Sequence, residues 1–259
     1  MALEIDLQFV IDVTRQAGDL ALEMHLNALH EFKLDQTYVT NVDREVELFL
    51  EKELGKRYPE FTFLGEEYGL RGDPDAPTWA VDPIDGTTNF VLNSPFWCVS
   101  VGLVYQNQPV LGVIYIPRVQ ELYCAKVGEG AFCNGIPINA RDVDKPHSED
   151  PLCMTSRASK YYNIRPWNGV FRSLGSIAAE ICYVARGTMC GTVGHVKTLH
   201  DVAAAFCIAK EAGCDWTYMN GEPIDLWEIF NNGGGKTYFV VAPPKTRQWL
   251  MTNLHKTKD

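Results

Sequence analysis

The chain has no apolar run approaching the roughly 18 residues that a membrane span requires. It has no block of like charge and no basic stripe. Its 23 Lys and Arg stand against 33 Asp and Glu, a formal net charge of −10. That balance excludes a nucleic-acid polymer as partner, and an anionic membrane surface with it. A basic leader is missing as well: the first residues read Met1-Ala-Leu-Glu4-Ile-Asp6, so the expected location is the cytoplasm. None of the eight cysteines (Cys98, Cys124, Cys133, Cys153, Cys182, Cys190, Cys207 and Cys214) forms a C-x-x-C pair, which excludes closely spaced zinc ligands. Several lie in apolar runs such as Ala205-Phe-Cys207-Ile and read as small buried hydrophobes kept reduced. No internal repeat, low-complexity tract or long linker is present. The one shift in composition is the Asp, Lys, Pro, His, Ser and Glu run at 142–150.

What is there is a globular composition. Of 259 residues, 46% are hydrophobic and 22% charged, enough to bury a substantial core without staples. Apolar side chains at Leu3, Leu7, Val10, Val13, Ala17, Leu20, Ala21 and Met24 predict a helix within 3–30. A second helix is expected over 41–56, closed by Pro59. The period then changes. Strands are expected at 61–64 and 79–81. A hairpin follows, 98–105 with 110–116, and then strands at 122–125 and 130–138 with Asn134-Gly135 as turn. Farther on, the patterns predict helices over 177–186, 200–212 and 247–255, and extended runs at 188–192, 215–219 and 238–242. Helices interleaved with meandering sheet make a layered α+β fold. The expectation is one unit, 1–259, with lobes of about 1–141 and 142–259.

The most informative stretch is Trp79-Ala-Val-Asp82-Pro-Ile-Asp85-Gly86-Thr87-Thr88-Asn-Phe90. A hydrophobic strand delivers two aspartates into a Pro/Gly turn followed by hydroxyl residues. Upstream, Phe63-Leu-Gly65-Glu66-Glu67 is another strand ending in carboxylates. Far downstream, Asp201 opens an alanine-rich helix. Each alone has an ordinary reading: a solvated strand end, a helix cap, and for Thr40-x-x-Asp43 a capping box. Together, if they converge, they repel one another unless cations sit between them. Hard oxygen ligands of this kind suit Mg²⁺, Mn²⁺ or Ca²⁺.

Gly65-Glu66-Glu67, Trp79-x-x-Asp82-Pro-Ile-Asp85-Gly-Thr-Thr-Asn-Phe90, His200-Asp201-x-Ala-Ala and Glu211-Ala-Gly213 resemble the motifs of the inositol monophosphatase family, magnesium-dependent and lithium-sensitive phosphomonoesterases. The resemblance runs from Thr40 to Gly213. It implies a five-layer αβαβα sandwich of the sugar-phosphatase type. It also implies two to three Mg²⁺ per site, replaceable by Mn²⁺. Glu66, Asp82 and the Ile84 carbonyl would hold one ion, and Asp82, Asp85 and Asp201 a second. A third would lean on Glu66, with Glu67 able to exchange roles with it. The Gly86 and Thr87 backbone amides would grip phosphate next to Asp85, and Thr87, supported by Asp43, would orient the attacking water. Glu66, Thr87 and Asp43 are therefore the expected catalytic set. The implied substrate is a small phosphorylated metabolite, with inositol monophosphate as the default. Histidinol phosphate, adenosine 3′,5′-bisphosphate and fructose 1,6-bisphosphate are the alternatives, and an idle metal-binding regulatory subunit is the reading of another class. Relatives commonly form homodimers.

Several residues depart from the family pattern. Gly194 stands where inositol-cleaving relatives carry a ring-contacting glutamate. His200 stands where they carry Trp, and Cys214 replaces a glycine. Gly194, Lys197, His195 and His200 are the positions that bear on substrate. Two decoys are set aside. Asp82-Pro-Ile-Asp85 is one residue longer than the Asp-x-Asp of aspartyl-phosphate phosphatases, and Asn231-Asn-Gly-Gly-Gly235-Lys236-Thr237 lacks the first glycine of a P-loop.

Overall fold

The computed structural model describes residues 3–34, 36–73, 75–195, 198–232, 234–235 and 237–257. Among these, the helices and two large sheets stack as five layers. Helices Leu7–Met24 and Asn41–Arg57 cover one face of an eight-stranded sheet. Helices Ile177–Ala185 and Ala203–Glu211 fill the space between it and a five-stranded sheet. Helices Ala158–Tyr161 and Pro244–Asn253 cover the far side. This is the layered α+β arrangement expected from the patterns, in the αβαβα order that the resemblance implies. No described helix is long and apolar enough to cross a membrane.

The outer layer follows from two apolar stripes. Val10, Val13, Ala17 and Ala21 of the first helix meet Val42, Val46, Leu50 and Leu54 of the second, over Trp79, Val81, Val99 and Val101 of the sheet. The first helix is shorter than the 3–30 stripe suggests. Asp6 caps it by accepting from the Phe9 amide, and beyond Met24 the chain passes through a 3-10 turn into a strand, His30–Phe32, paired with Tyr38–Thr40.

The eight-stranded sheet runs Ile136–Pro137, Gly130–Cys133, Glu121–Lys126, Gln108–Ile116, Cys98–Tyr105, Thr78–Asp85, Thr62–Gly65, Gly69–Arg71. Its hairpin turns at Gln106-Asn107 and Asn134-Gly135 carry positive φ at both central residues, the geometry that matches strand twist. Thr62–Gly65 and Thr78–Asp85 form the parallel pair in this sheet, with Gly65 opposite Val81. Their C-terminal ends therefore emerge side by side, and both end in acidic residues.

Thr78–Asp85 alternates until Asp82: Trp79 and Val81 face the outer helices, Ala80 the inner ones. An irregularity then intervenes between Asp82 and Asp85. It moves Ile84 into the outer core and lets two aspartates three apart point to one side, which a regular strand forbids.

The inner layer is held close by absent side chains. Gly102 and Gly112 are cross-strand partners. A Cβ on Gly112 would lie 2.2 Å from the Ala204 carbonyl oxygen, and one on Gly102 2.6 Å from the Ala204 nitrogen. Ala203, Ala204 and Ala205 are the side chains short enough for such contact.

Two further elements differ from expectation. The run at 188–191 is a turn, because Thr188 N and Met189 N both bond the Tyr183 carbonyl, so the strand begins at Thr192. The alanine helix begins at Ala203, not at 200, because Asp201 closes a turn on Thr198 N (2.9 Å) just before it. The five-stranded sheet runs Val170–Arg172, Pro151–Met154, Thr192–His195, Tyr238–Ala242, Asp215–Tyr218, its first two pairings parallel. The 142–150 run connects the sheets without a helix or strand of its own.

Gly112→Ala is expected to cost about 1–3 kcal/mol through overpacking on Ala204. Gly55→Ala, a helical site with nothing within 4 Å, should instead gain up to about 1 kcal/mol. Urea unfolding of the two variants checks the pair.

Candidate active site

Where the parallel strands end, a cavity of about 330 Å³ opens between the sheets. Glu66, Asp82, Ile84, Asp85, Gly86, Thr87 and Asp201 line it, although they come from distant parts of the chain. Its other wall includes Thr155, Ser156, Arg157, Ser173, Glu180 and His195. Ligand atoms of Glu66, Asp82 and His200 lie within 4.8 Å of one another, as do those of Asp43, Glu66 and Glu67.

Each carboxylate is held by a local bond. Asp82 Oδ1 accepts from Ile84 N at 3.0 Å. Asp85 Oδ2 accepts from Ala178 N at 2.8 Å and from the Ser176 hydroxyl, both at the start of an inner helix. Asp43 does two things at once. Its Oδ2 completes a capping box with Thr40, accepting from Thr40 N at 2.8 Å, while its Oδ1 lies 3.4 Å from Thr87 Oγ1. The same Thr87 hydroxyl lies 3.1 Å from the Ile84 carbonyl oxygen. Gly86 carries φ +92°, and a Cβ there would crowd the carbonyls of Phe96 and Gly175. Only glycine turns the chain there at low cost.

Crowding shows in the acidities. Burial, with Glu66, Asp85 and Asp201 adding repulsion, drives Asp82 far above the usual carboxylate range. Burial and Asp201 push Asp85 to about 7. Burial also lifts Asp43 to about 7 despite its bonds to Thr40. Glu66 goes the other way: burial raises it, but His200 and the Lys33 ammonium outweigh that and hold it low.

Sequence reasoning missed four residues here. Lys33 pairs with Glu66 at 2.8 Å and Glu67 at 2.6 Å. Glu47, fully buried, accepts from Glu67 N at 2.8 Å and Tyr68 N at 3.0 Å, so it fixes the turn that carries Glu66. A Cβ on Gly65 would fall 1.9 Å from Glu47 Oε1. Glu180 accepts from Leu174 N and Thr192 Oγ1 and braces the Ser173–Ser176 wall. Arg157, an exposed residue, also lines the cavity. A signal did exist for Glu47: it stands one helical turn after Asp43, on the same face.

Buried carboxylates aimed into one cavity, with the Ile84 carbonyl among them, are a donor set that fits hard divalent cations. The comparisons with known proteins agree with that chemistry. Residues 6–256 match the model of the inositol monophosphatase family. The chain belongs to the inositol monophosphatase family. Inositol monophosphatase 3 of Solanum lycopersicum is 33% identical over 245 residues, 87% of this chain and 90% of that protein. A protein of Aquifex aeolicus named fructose-1,6-bisphosphatase/inositol-1-monophosphatase is 32% identical over 226 residues, 83% and 84% of the two chains. The solved structure of extragenic suppressor protein suhB from Bartonella henselae superposes with a TM-score of 0.83 at 27% identity, covering 95% of this chain and 96% of that one. As a member of this family the chain is a phosphatase, a hydrolase of phosphate monoesters.

The positions that bear on substrate fall differently. Gly194 is buried in the strand Thr192–His195, where an added Cβ would meet Phe239 and Ile177, and His195 next to it lines the cavity. Lys197 lies outside the described residues, as does Lys236 of the half P-loop.

Two outcomes follow. Glu47→Ala leaves two turn amides without their charged acceptor and should cost about 2–3 kcal/mol in urea unfolding. The second concerns pH. Asp43 and Asp85 release their protons near 7 when folded but near 3.8 when unfolded. The resulting stability is full below about 3.8 and is lost as pH rises through 7. The Tm of chelator-treated protein should therefore fall from pH 5 to pH 8. Mg²⁺ at a fixed concentration, about a hundred times its Kd at pH 8, should raise Tm at pH 8 by about 5–10 °C, and by less at pH 5, where protonated carboxylates weaken its binding. Differential scanning calorimetry with and without Mg²⁺ measures both effects.

Proposed function

We propose that the protein hydrolyses a small phosphate monoester with metal-activated water, Mg²⁺ being the cation. The observation that carries this reading is the convergence of Glu66, Asp82, Asp85 and Asp201 on one cavity beside the Thr87–Asp43 pair. Glu66, Asp82 and the Ile84 carbonyl would hold one ion, and Asp82, Asp85 and Asp201 a second. When bound, such ions supply positive charge for the substrate phosphate and for the leaving oxygen, and a more acidic bound water.

The chain's own groups do the rest. Thr87 has its hydroxyl proton within reach of the Ile84 carbonyl and of Asp43, so its lone pairs are left to accept a hydrogen bond from water. Asp43, anchored by Thr40, keeps that hydroxyl turned. Water so oriented attacks phosphorus, the ester P–O bond breaks, and a proton from the water ends on the departing alcohol. The Gly86 and Thr87 amides at a turn would bind phosphate oxygens, since exposed N–H groups there attract anions. A buried site with fixed dipoles suits this reaction, because uncatalysed monoester hydrolysis is among the slowest known and most of the barrier lowering is electrostatic.

The wall opposite, with Thr155, Ser156 and Ser173, is rich in hydroxyls and favours a polyol, so inositol monophosphate is the first substrate to test. Arg157 on that wall supports a second reading, a bisphosphate such as fructose 1,6-bisphosphate, which the name of the Aquifex relative also carries.

A phosphate-release screen over inositol monophosphate, fructose 1,6-bisphosphate, histidinol phosphate and adenosine 3′,5′-bisphosphate tests the reading. Turnover is expected with Mg²⁺ and inhibition on adding lithium. Release from none of the four would favour an idle regulatory subunit. Asp85→Asn and Asp201→Asn should each lower kcat by about 100-fold or more and raise the Mg²⁺ requirement. Near-normal turnover in either variant would refute its assigned role.

A further inference from the structure

We propose that His200 is a nitrogen ligand in the metal site, and that the position it shares with Glu66 and Asp82 therefore binds a first-row transition ion more tightly than Mg²⁺, leaving Mg²⁺ as the cation of the other position. This rests on the phosphatase reading above. The carboxylates alone describe a hard, all-oxygen site, but the structure adds an imidazole. A ring nitrogen of His200 and carboxylate oxygens of Glu66 and Asp82 lie within 4.8 Å of one another, a spread that one bound ion can span. His200 is 6% exposed, and its Nε2 lies 3.8 Å from Asp201 Oδ1. The ring is thus buried between residues assigned to both cations.

Its orientation is supported. Thr198 Oγ1 lies 2.7 Å from Nε2, and Thr198 N also holds Asp201. The one turn at 198–201 therefore sets both side chains. The threonine hydroxyl can accept from Nε2–H, which leaves the Nδ1 lone pair as the one to offer a cation. Partners of this kind fix ligating histidines elsewhere.

The chemical consequence is selectivity. Mg²⁺ demands oxygen donors and near-octahedral geometry. Imidazole suits zinc, iron, cobalt and nickel, and affinity for such sites rises along the first-row series from manganese towards copper. His200 adds a nitrogen donor to a site whose other donors are carboxylate oxygens.

The test uses the full chain after chelator treatment, with Co²⁺ and Mg²⁺ as probes. Calorimetric titration gives the Kd of each. Proton NMR of the Co²⁺-loaded protein then looks for a hyperfine-shifted, solvent-exchangeable imidazole N–H resonance. The wild type is expected to show that resonance. In His200→Gln and His200→Trp it should vanish, and the Co²⁺-over-Mg²⁺ preference should drop about tenfold or more. A wild-type protein that binds Co²⁺ and releases phosphate, yet shows no such resonance, would overturn this proposal and leave the phosphatase reading intact. An unchanged metal preference in both variants would overturn it as well. If the wild type binds neither ion and releases no phosphate, both proposals fall. The wild-type spectrum decides the point even if a variant does not fold.

Discussion

Like charges must be held together in a place with little water, and the rest of the molecule serves that constraint. Repulsion from Asp201 raises the pKa of Asp82 and of Asp85, on top of what burial does to each. Such an arrangement costs stability unless each carboxylate has a donor that keeps it in place. Each of these carboxylates has one. Ile84 N holds Asp82, Ser176 and Ala178 N hold Asp85, Thr198 N holds Asp201, and Thr40 holds Asp43. Glu66 is tied differently, through the Lys33 ammonium and a turn that Glu47 fixes from beneath. The residual repulsion is the driving force for taking up a divalent cation, and stability and cation binding are therefore linked.

The layers put these donors where they are needed. Two adjacent parallel strands bring Glu66 beside Asp82, and an irregularity at the end of Thr78–Asp85 turns Asp85 to the same side. The inner helices supply the rest. Ile177–Ala185 presents its first amides to Asp85, and Ala203–Glu211 follows directly on Asp201. The second helix sits near enough to the sheet because Gly102 and Gly112 face Ala203 and Ala204. A larger residue in that contact would lift the helix and carry Asp201 away from Asp85.

Much of this was legible from residue order, and some was not. The amphipathic stripes at Val10 to Ala21 and Val42 to Leu54 read directly as helices, because period and burial coincide there. The 188–191 and 200–202 stretches read wrongly, because hydrogen bonds to Tyr183 and from Thr198 N to Asp201 decided them and no period announces such bonds. Lys33, Glu47 and Glu180 look like ordinary charged residues in the sequence. They become positioning groups only when Glu66, Glu67, Leu174 and Thr192 arrive from elsewhere.

The sequence by itself determined the chemistry available: acidic residues at strand ends, a glycine and hydroxyls after them, and a family pattern specific enough to imply the sandwich. Residue types and local periods are written in the chain and survive without a structure. Tertiary structure alone decided what those residues do to one another. Distance and burial set charge repulsion, and both arise from packing between segments more than a hundred residues apart. The same packing turned His200 from an isolated histidine into a neighbour of Glu66 and Asp82.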